Sequence, residues 1–360
     1  MQFSWAIHYP AVAALCLFAT SVAGKSALSL SVSAPRLGAR NLDGVENSKV
    51  ITSLVNTGDS SLKLLRDPRT IISSLPTDSF TITDISGASP TFIGAFAKFV
   101  PDYVVRNNIE EAFIILNPGE IFEVKHDLSM AYNFTSSGEG VYDIRAKNLF
   151  MYVEPTTNEI GQLEAIHEAP LTTSIAGNLA YVAHVPRHNK RVQYASCSSS
   201  QQSQLVSAAS AAIDYANSAY DYLNSHNSST SRYASWFGTY DATRHDTVLS
   251  HFNNIKGFPF ADSATYNCSC TEPGTFAFVN RATFGVINLC GAFWSAPLTG
   301  TDSMGGTLVH ESSHFTQIAN TYDIVYGQGG CRAFALNDPG VVVGNADSHE
   351  YFAENNPAEA

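Results

Sequence analysis

The segment Gly306-Thr-Leu-Val-His310-Glu311-Ser-Ser-His314-Phe-Thr-Gln317-Ile-Ala-Asn320-Thr-Tyr-Asp323-Ile-Val-Tyr326-Gly327 sets two histidines four residues apart, with a glutamate directly after the first. On a helix, positions i and i+4 share a face, so His310 and His314 can hold one Zn²⁺ while Glu311 serves as general base toward the water that the metal polarises. The spacing predicts a hydrolytic metal site on a helix that begins after Gly305-Gly306, with Gly327 marking the end of the ligand turn that follows it.

A catalytic zinc needs a third protein ligand and an open position. A metzincin would carry Gly at 317 and His at 320; the chain has Gln317 and Asn320, which excludes that class. Glu350 and Glu354 are distant possibilities, but Asp323 stands nine residues past His314, where the helix can end and the chain turn back. Asp323 is therefore read as the third ligand. Tyr326 is read as a hydroxyl donor to the oxyanion, its structural alternative being a packed tyrosine at a turn.

His310-Glu311-x-x-His314 followed by Asn-Thr-Tyr-Asp323-Ile-Val-Tyr326-Gly327 resembles the aspzincin signature of deuterolysin-type fungal metalloendopeptidases. Cys197-Ser-Ser-Ser, Trp236-Phe-Gly, Cys268-Ser-Cys270, Cys290-Gly-Ala-Phe-Trp294, Thr299-Gly-Thr-Asp302-Ser and the run from Asn345 to Pro357 resemble the peptidyl-Lys branch of that family. The likeness spans Cys197 to the C-terminus and departs from the pattern at Asn320, where the signature has Gly; Asn tolerates the left-handed backbone that such a turn requires. The resemblance implies one Zn²⁺ per catalytic domain, and a pocket formed by Asp347 and Glu350 for a lysine on the P1′ side of the cleaved bond. A pair of carboxylates suits an ammonium, a compact point charge.

Met1 to about Gly24 has an apolar stretch, Ala11–Ala19, followed by small residues, and reads as a signal peptide over 1–24. Secretion, an extracellular location and freedom from the membrane after signal removal follow from this reading. Residues 25–191 contain no cysteine, whereas Cys197, Cys268, Cys270, Cys290 and Cys331 all lie beyond. Cys268 and Cys270 are too close to pair comfortably, so each reaches to Cys197 or Cys290 in one of two arrangements. The resemblance favours Cys197 with Cys268 and Cys270 with Cys290, leaving Cys331 as a buried thiol.

Lys190-Arg191 sits between the two segments and reads as the cleavage point of a dibasic processing protease. It would divide a propeptide, 25–191, from a catalytic domain, 192–360. Alternating runs at Ala27–Ser33, Ser79–Thr83, Phe122–Leu128 and Leu149–Val153 predict a β-rich, sandwich-like propeptide. The likeness to deuterolysin precursors implies that it assists folding and covers the active site. After it, helical spacing predicts helices over Gln201–Leu223 and Ala242–Phe252, and strands over Gly274–Val279 and Gly285–Cys290. The fold class expected is α+β, a helix-dominated zincin-like catalytic domain with a small antiparallel sheet. His349, His245 and His251 have no ligand spacing and read as structural; Asn133, Asn227 and Asn267 are glycosylation sequons.

From Val192 onward five basic residues face fourteen acidic ones, nine of the chain's twelve net negative charges. Such a surface repels nucleic acid and anionic membranes. Only one lysine, Lys256, follows the dibasic pair, whereas residues 25–191 hold seven; scarcity of lysine protects a protease that cuts before lysine from itself. The reading is a secreted zinc endopeptidase, made as a zymogen, acting on lysine-containing proteins and peptides. A broad deuterolysin-like protease and a catalytically silent zinc-binding protein are the alternatives.

Overall fold

The computed structural model describes residues 27–35, 45–180 and 191–359; the leader read over 1–24 and Lys190 of the dibasic pair lie outside them. The architecture is α+β. Residues 28–177 build three four-stranded sheets and a two-stranded one, antiparallel except where Leu28–Ser33 runs parallel to Ile166–His167. Period-two patterning sets the registers: in Lys49–Asn56 alternate residues turn inward, placing Val50 and Leu54 in one core with Leu30, Leu64, Ile82, Tyr142, Ile144 and Phe150. Several sheets thus pack around a shared core in this β-rich region.

A short helix, α1 (Pro101–Arg106), follows the strand Ala95–Phe99. Beyond residue 191 come α2 (Ser199–Ser225), α3 (Ser231–Phe237), α4 (Ala242–Lys256), α5 (Met304–Ser313), α6 (Gln328–Asn337), α7 (Pro339–Val342) and α8 (Ala346–Glu354). The two helices expected from periodicity form, α2 starting earlier because Ser198 and Gln201 close a reciprocal capping box. Strands Thr275–Asn280 and Val286–Leu289 pair antiparallel. Disulfides join Cys197 to Cys268 and Cys270 to Cys290, tying the start of α2 and the strand region together. Cys331 is a buried free thiol in the core.

The metal-site helix is fixed on both sides by close packing. All ten residues of α5 are buried, and a Cβ on Gly305 would lie 2.8 Å from that of Ala211 on α2. A Cβ on Gly306 would collide with the Glu354 carboxylate at the end of α8. That carboxylate accepts from the backbone N–H and hydroxyl of Ser303, whose own oxygen caps α5 through the N–H of Gly306. The two glycines therefore admit the helices that hold α5 in place.

The five-stranded sheet beside α5 runs Gln193–Ala195, Thr265–Asn267, Val286–Leu289, Thr275–Asn280, Ala95–Phe99. Its last strand comes from the N-terminal half of the chain, with Ala277 opposite Lys98 and Phe278 opposite Ala97. Nothing in the sequence patterning foretold this strand, since its partner lies about 180 residues away.

A histidine pair, one buried and one half-buried, joins α4 to α8. His349 Nδ1 lies 2.9 Å from the carbonyl of Asn345, which only accepts, so Nδ1 carries the proton and Nε2 accepts from His251 Nδ1 at 2.9 Å. Burial, together with His251, holds His349 down to about 3, and burial holds His251 down to about 4. Both are bases depressed below the ordinary value near 6.5, so the unfolded chain binds more protons and stability falls as pH drops below 6.5. Each group loses at most about 1.4 kcal/mol per pH unit until its folded value is reached. Thermal unfolding at pH 7 and pH 5 should show this acid slope, and a His251→Gln variant with an unchanged slope would refute the assignment.

Candidate metal centre and cleft

His310 faces out of the last turn of α5 and His314 caps it, their rings 4.9 Å apart at an interplanar angle of 81°. His314 Nδ1 lies 3.0 Å from the Thr321 carbonyl, an acceptor, which leaves Nε2 bare. That Nε2 is buried with no hydrogen-bond partner and stands 3.3 Å from Asp323 Oδ1. His310 Nε2 stands 3.1 Å from the same oxygen. Ligands about 2.0–2.1 Å from a tetrahedral zinc are separated by about 3.3 Å, so both distances from Asp323 Oδ1 match edges of such a tetrahedron, and the three ligand atoms lie within 4.8 Å of one another. His310, His314 and Asp323 therefore fit the metal. Burial opposes the charge on Asp323, but His314 and His310 hold it well below the usual carboxylate range.

The turn that returns Asp323 is held from three directions. Asn320 takes φ of 52°, so the left-handed turn survives without glycine. Arg281 donates to the carbonyls of His314, Asn320 and Thr321, bridging the helix end to the turn. Asn345, just before α8, accepts from the backbone N–H of Ile324 and Val325, both at 3.1 Å. Arg281 and Asn345 went unassigned in the sequence because neither carries metal-ligand spacing; Asn345 belongs to the run that resembles the family.

Asp347 and Glu350 divide their roles differently from the expected lysine pair. Asp347 Oδ1 stands 2.9 Å from His310 Nδ1, and its Oδ2 accepts from the Gly327 N–H at 2.7 Å. It thus turns to the metal helix, on the side of the imidazole opposite Asp323, where a carboxylate fixes ring orientation. Glu350 Oε2 also approaches His310 Nδ1, at 3.3 Å, while its Oε1 holds the Lys98 ammonium. The second carboxylate near that ammonium is Asp302, at 3.9 Å, itself accepting from the Tyr351 hydroxyl at 2.6 Å. The spacing between 347 and 350 could not reveal Asp302, which arrives from the loop before α5. Glu354 is occupied at Ser303 and does not face the imidazoles.

Lys98 is fully buried, its ammonium 4.9 Å from the centre of the Phe276 ring. Burial disfavours its charge, but Glu350, Asp347, Asp302 and Glu354 hold it above the ordinary lysine value. Removing one partner of a buried pair costs about 3–5 kcal/mol, because the other charge is left buried without compensation. The main chain around it meets the rest of the cluster. Ala97 N–H donates to Asp323 Oδ2 at 2.8 Å, Lys98 N–H donates to Glu311 Oε1 at 3.2 Å, and the Tyr326 hydroxyl donates to the Ala97 carbonyl.

Glu311 is fully buried, and its Oε2 has no hydrogen-bond partner. Burial, partly offset by His310, pushes its carboxyl up to about 8. A carboxyl in this range can take a proton and return it near neutral pH.

A buried pair of imidazoles and an aspartate around a metal-sized gap, with a free carboxyl and a phenol on the same peptide group, defines a metal-dependent peptidase. A family profile described as aspzincin, lysine-specific metallo-endopeptidase, matches residues 222–354. The chain is 48% identical over 347 residues to the peptidyl-Lys metalloendopeptidase of Grifola frondosa, covering 96% of this chain and 98% of that one. It is 49% identical to the same-named protein of Armillaria mellea, covering 96% and 97%. An extracellular protease of Aeromonas hydrophila is 32% identical, covering 87% and 90%. The chain belongs to the aspzincin family of metalloendopeptidases.

Two variants test the metal centre. Asp323→Ala should abolish zinc retention through dialysis, as measured by metal analysis. Asp347→Ala should weaken zinc affinity by roughly 10–100-fold, the usual effect of losing a partner behind a ligating histidine. Unchanged affinity in Asp347→Ala would remove it from any role behind His310.

Proposed function

We propose that the chain is the precursor of a secreted zinc endopeptidase that hydrolyses peptide bonds on the N-terminal side of lysine. In this reading residues 1–24 are the signal, 25–191 the propeptide and 192–360 the catalytic domain, released by a dibasic processing protease after Lys190-Arg191. Arg191 is exposed, which supports access there. One zinc is held by His310, His314 and Asp323, with Asp347 positioning His310.

When bound, zinc supplies Lewis acidity toward water and the scissile carbonyl. Glu311 removes a proton from the attacking water and returns it to the departing amine. Tyr326 donates to the carbonyl oxygen as negative charge develops there. Glu350 and Asp302 receive the lysine side chain, and Phe276 and Tyr351 wall the pocket. The single observation that carries the lysine reading is that these two buried carboxylates hold an ammonium one residue past a peptide carbonyl bonded to Tyr326. A planar guanidinium needs more width than this point-charge site offers.

Glu311→Gln should retain zinc yet lose activity by roughly 10²–10⁴-fold, the contribution of a general base. Substantial turnover in that variant would overturn the mechanism. Mass spectrometry of a mixed protein digest by the mature enzyme should find cuts before Lys far above those before Arg. Glu350→Gln should lower kcat/KM on such substrates by roughly a hundredfold or more, because a polar site built for its partner loses much when mismatched. Cuts spread over apolar P1′ residues would instead support a broad deuterolysin-like protease.

A further inference from the structure

The N-terminal half lays a complete substrate-like segment through the cleft. Ala95–Phe99 adds to the edge strand Thr275–Asn280 in antiparallel register, a common mode of peptide recognition. At its centre, the Ala97–Lys98 peptide group meets Tyr326 and Glu311, and the peptide group before it meets Asp323. The Ala97 carbonyl receives the Tyr326 hydroxyl, the Lys98 N–H points to Glu311, and the Ala97 N–H reaches Asp323. The next side chain fills the acidic pocket. Among the described lysines, Lys98 alone is buried.

We infer that Ala97–Lys98 is a self-cleavage site of the precursor, with Lys98 occupying the specificity pocket as an internal P1′ residue. The inference rests on the lysine reading of that pocket, but adds a bond in this chain as a substrate. Hydrolysis breaks the bond between the Ala97 carbonyl carbon and the Lys98 nitrogen. The hydroxyl of one water joins Ala97 to form a carboxylic acid, which ionises. The remaining proton passes through Glu311 to Lys98, leaving it as a free N-terminus. Glu311 Oε1 lies 3.2 Å from that nitrogen, within reach to deliver the proton once the nitrogen becomes pyramidal and turns its lone pair to the carboxyl. The cut divides the inhibiting strand into Ala95–Ala97 and Lys98–Phe99, each retaining only part of the ladder to Thr275–Asn280. Until it occurs, the same strand denies the cleft to other substrates. Cleavage here would therefore loosen the block independently of Lys190-Arg191.

The test uses the full precursor with Arg191 replaced, so that dibasic processing does not intervene. Loaded with zinc and incubated, the precursor should yield a fragment whose N-terminus is Lys98, identified by mass spectrometry. Glu311→Gln should abolish it, and Lys98→Ala and Lys98→Arg should each lower it by roughly a hundredfold or more. Occupancy is read separately, without turnover, in the Glu311→Gln precursor treated with a lysine-acylating reagent. Lys49 and Lys147, both exposed, should be modified and Lys98 protected. If the mature enzyme cuts lysine peptides but no Lys98 terminus forms in the precursor, self-cleavage is overturned while the lysine reading stands. If Lys98 is acylated as fast as Lys49, the pocket occupancy is wrong. If the mature enzyme shows no preference for lysine, the reading beneath the inference fails as well.

Discussion

The structure turns on a ten-residue helix with no exposed side chain. Because α5 is buried on every side, its two imidazoles and its glutamate cannot be hydrated by bulk water, and each must find a fixed polar partner or a metal. Asp323 supplies the anionic partner on one side of the histidines, while Asp347 and Thr321 fix the outer ring nitrogens. Close packing makes this possible: the alanines of α2, and Gly305 and Gly306, bring the backbones near enough for α8 to brace the helix start through Glu354.

The helix α8 links the histidines to the buried ammonium. Within one turn it carries Asp347, which faces the metal helix, and Glu350, which touches both His310 and the lysine ammonium. His310 and the Lys98 ammonium therefore share a carboxylate. Charge placed in the pocket is felt at the histidine, and the orientation of the histidine depends on a residue that also answers to the pocket. Buried carboxylates at this density are costly without cations, which gives a physical reason for the chain to fold with Lys98 inside. The cation balances the pocket while the cleft is assembled.

Much of the candidate metal cluster was legible because its determinants are local. His310, Glu311 and His314 are fixed by helical period, and Asp323 lies within one turn of chain whose reversal Asn320 permits. Helices α2 and α4 were legible for the same reason, as were the paired strands around Phe278 and Asn288. The pocket was only half legible. Glu350 could be named from its neighbourhood, but its partner Asp302 lies some 48 residues earlier, and Asp347, alike in sequence, turns elsewhere.

By itself, then, the sequence determined the spacing of His310, Glu311, His314 and Asp323 and the period of the elements that carry them, because those follow from a regular backbone. It also carried the family, through motifs spread from Cys197 onward. Tertiary structure decided which carboxylates meet an ammonium, that Arg281 and Asn345 clamp the ligand turn, and that a strand from the first hundred residues completes the sheet beside the metal helix. Those outcomes depend on which surfaces bury one another across long sequence separations. Backbone pairing at a sheet edge is set by unpaired N–H and C=O groups that every residue carries alike, so no pattern of side chains in Ala95–Phe99 could announce its partner.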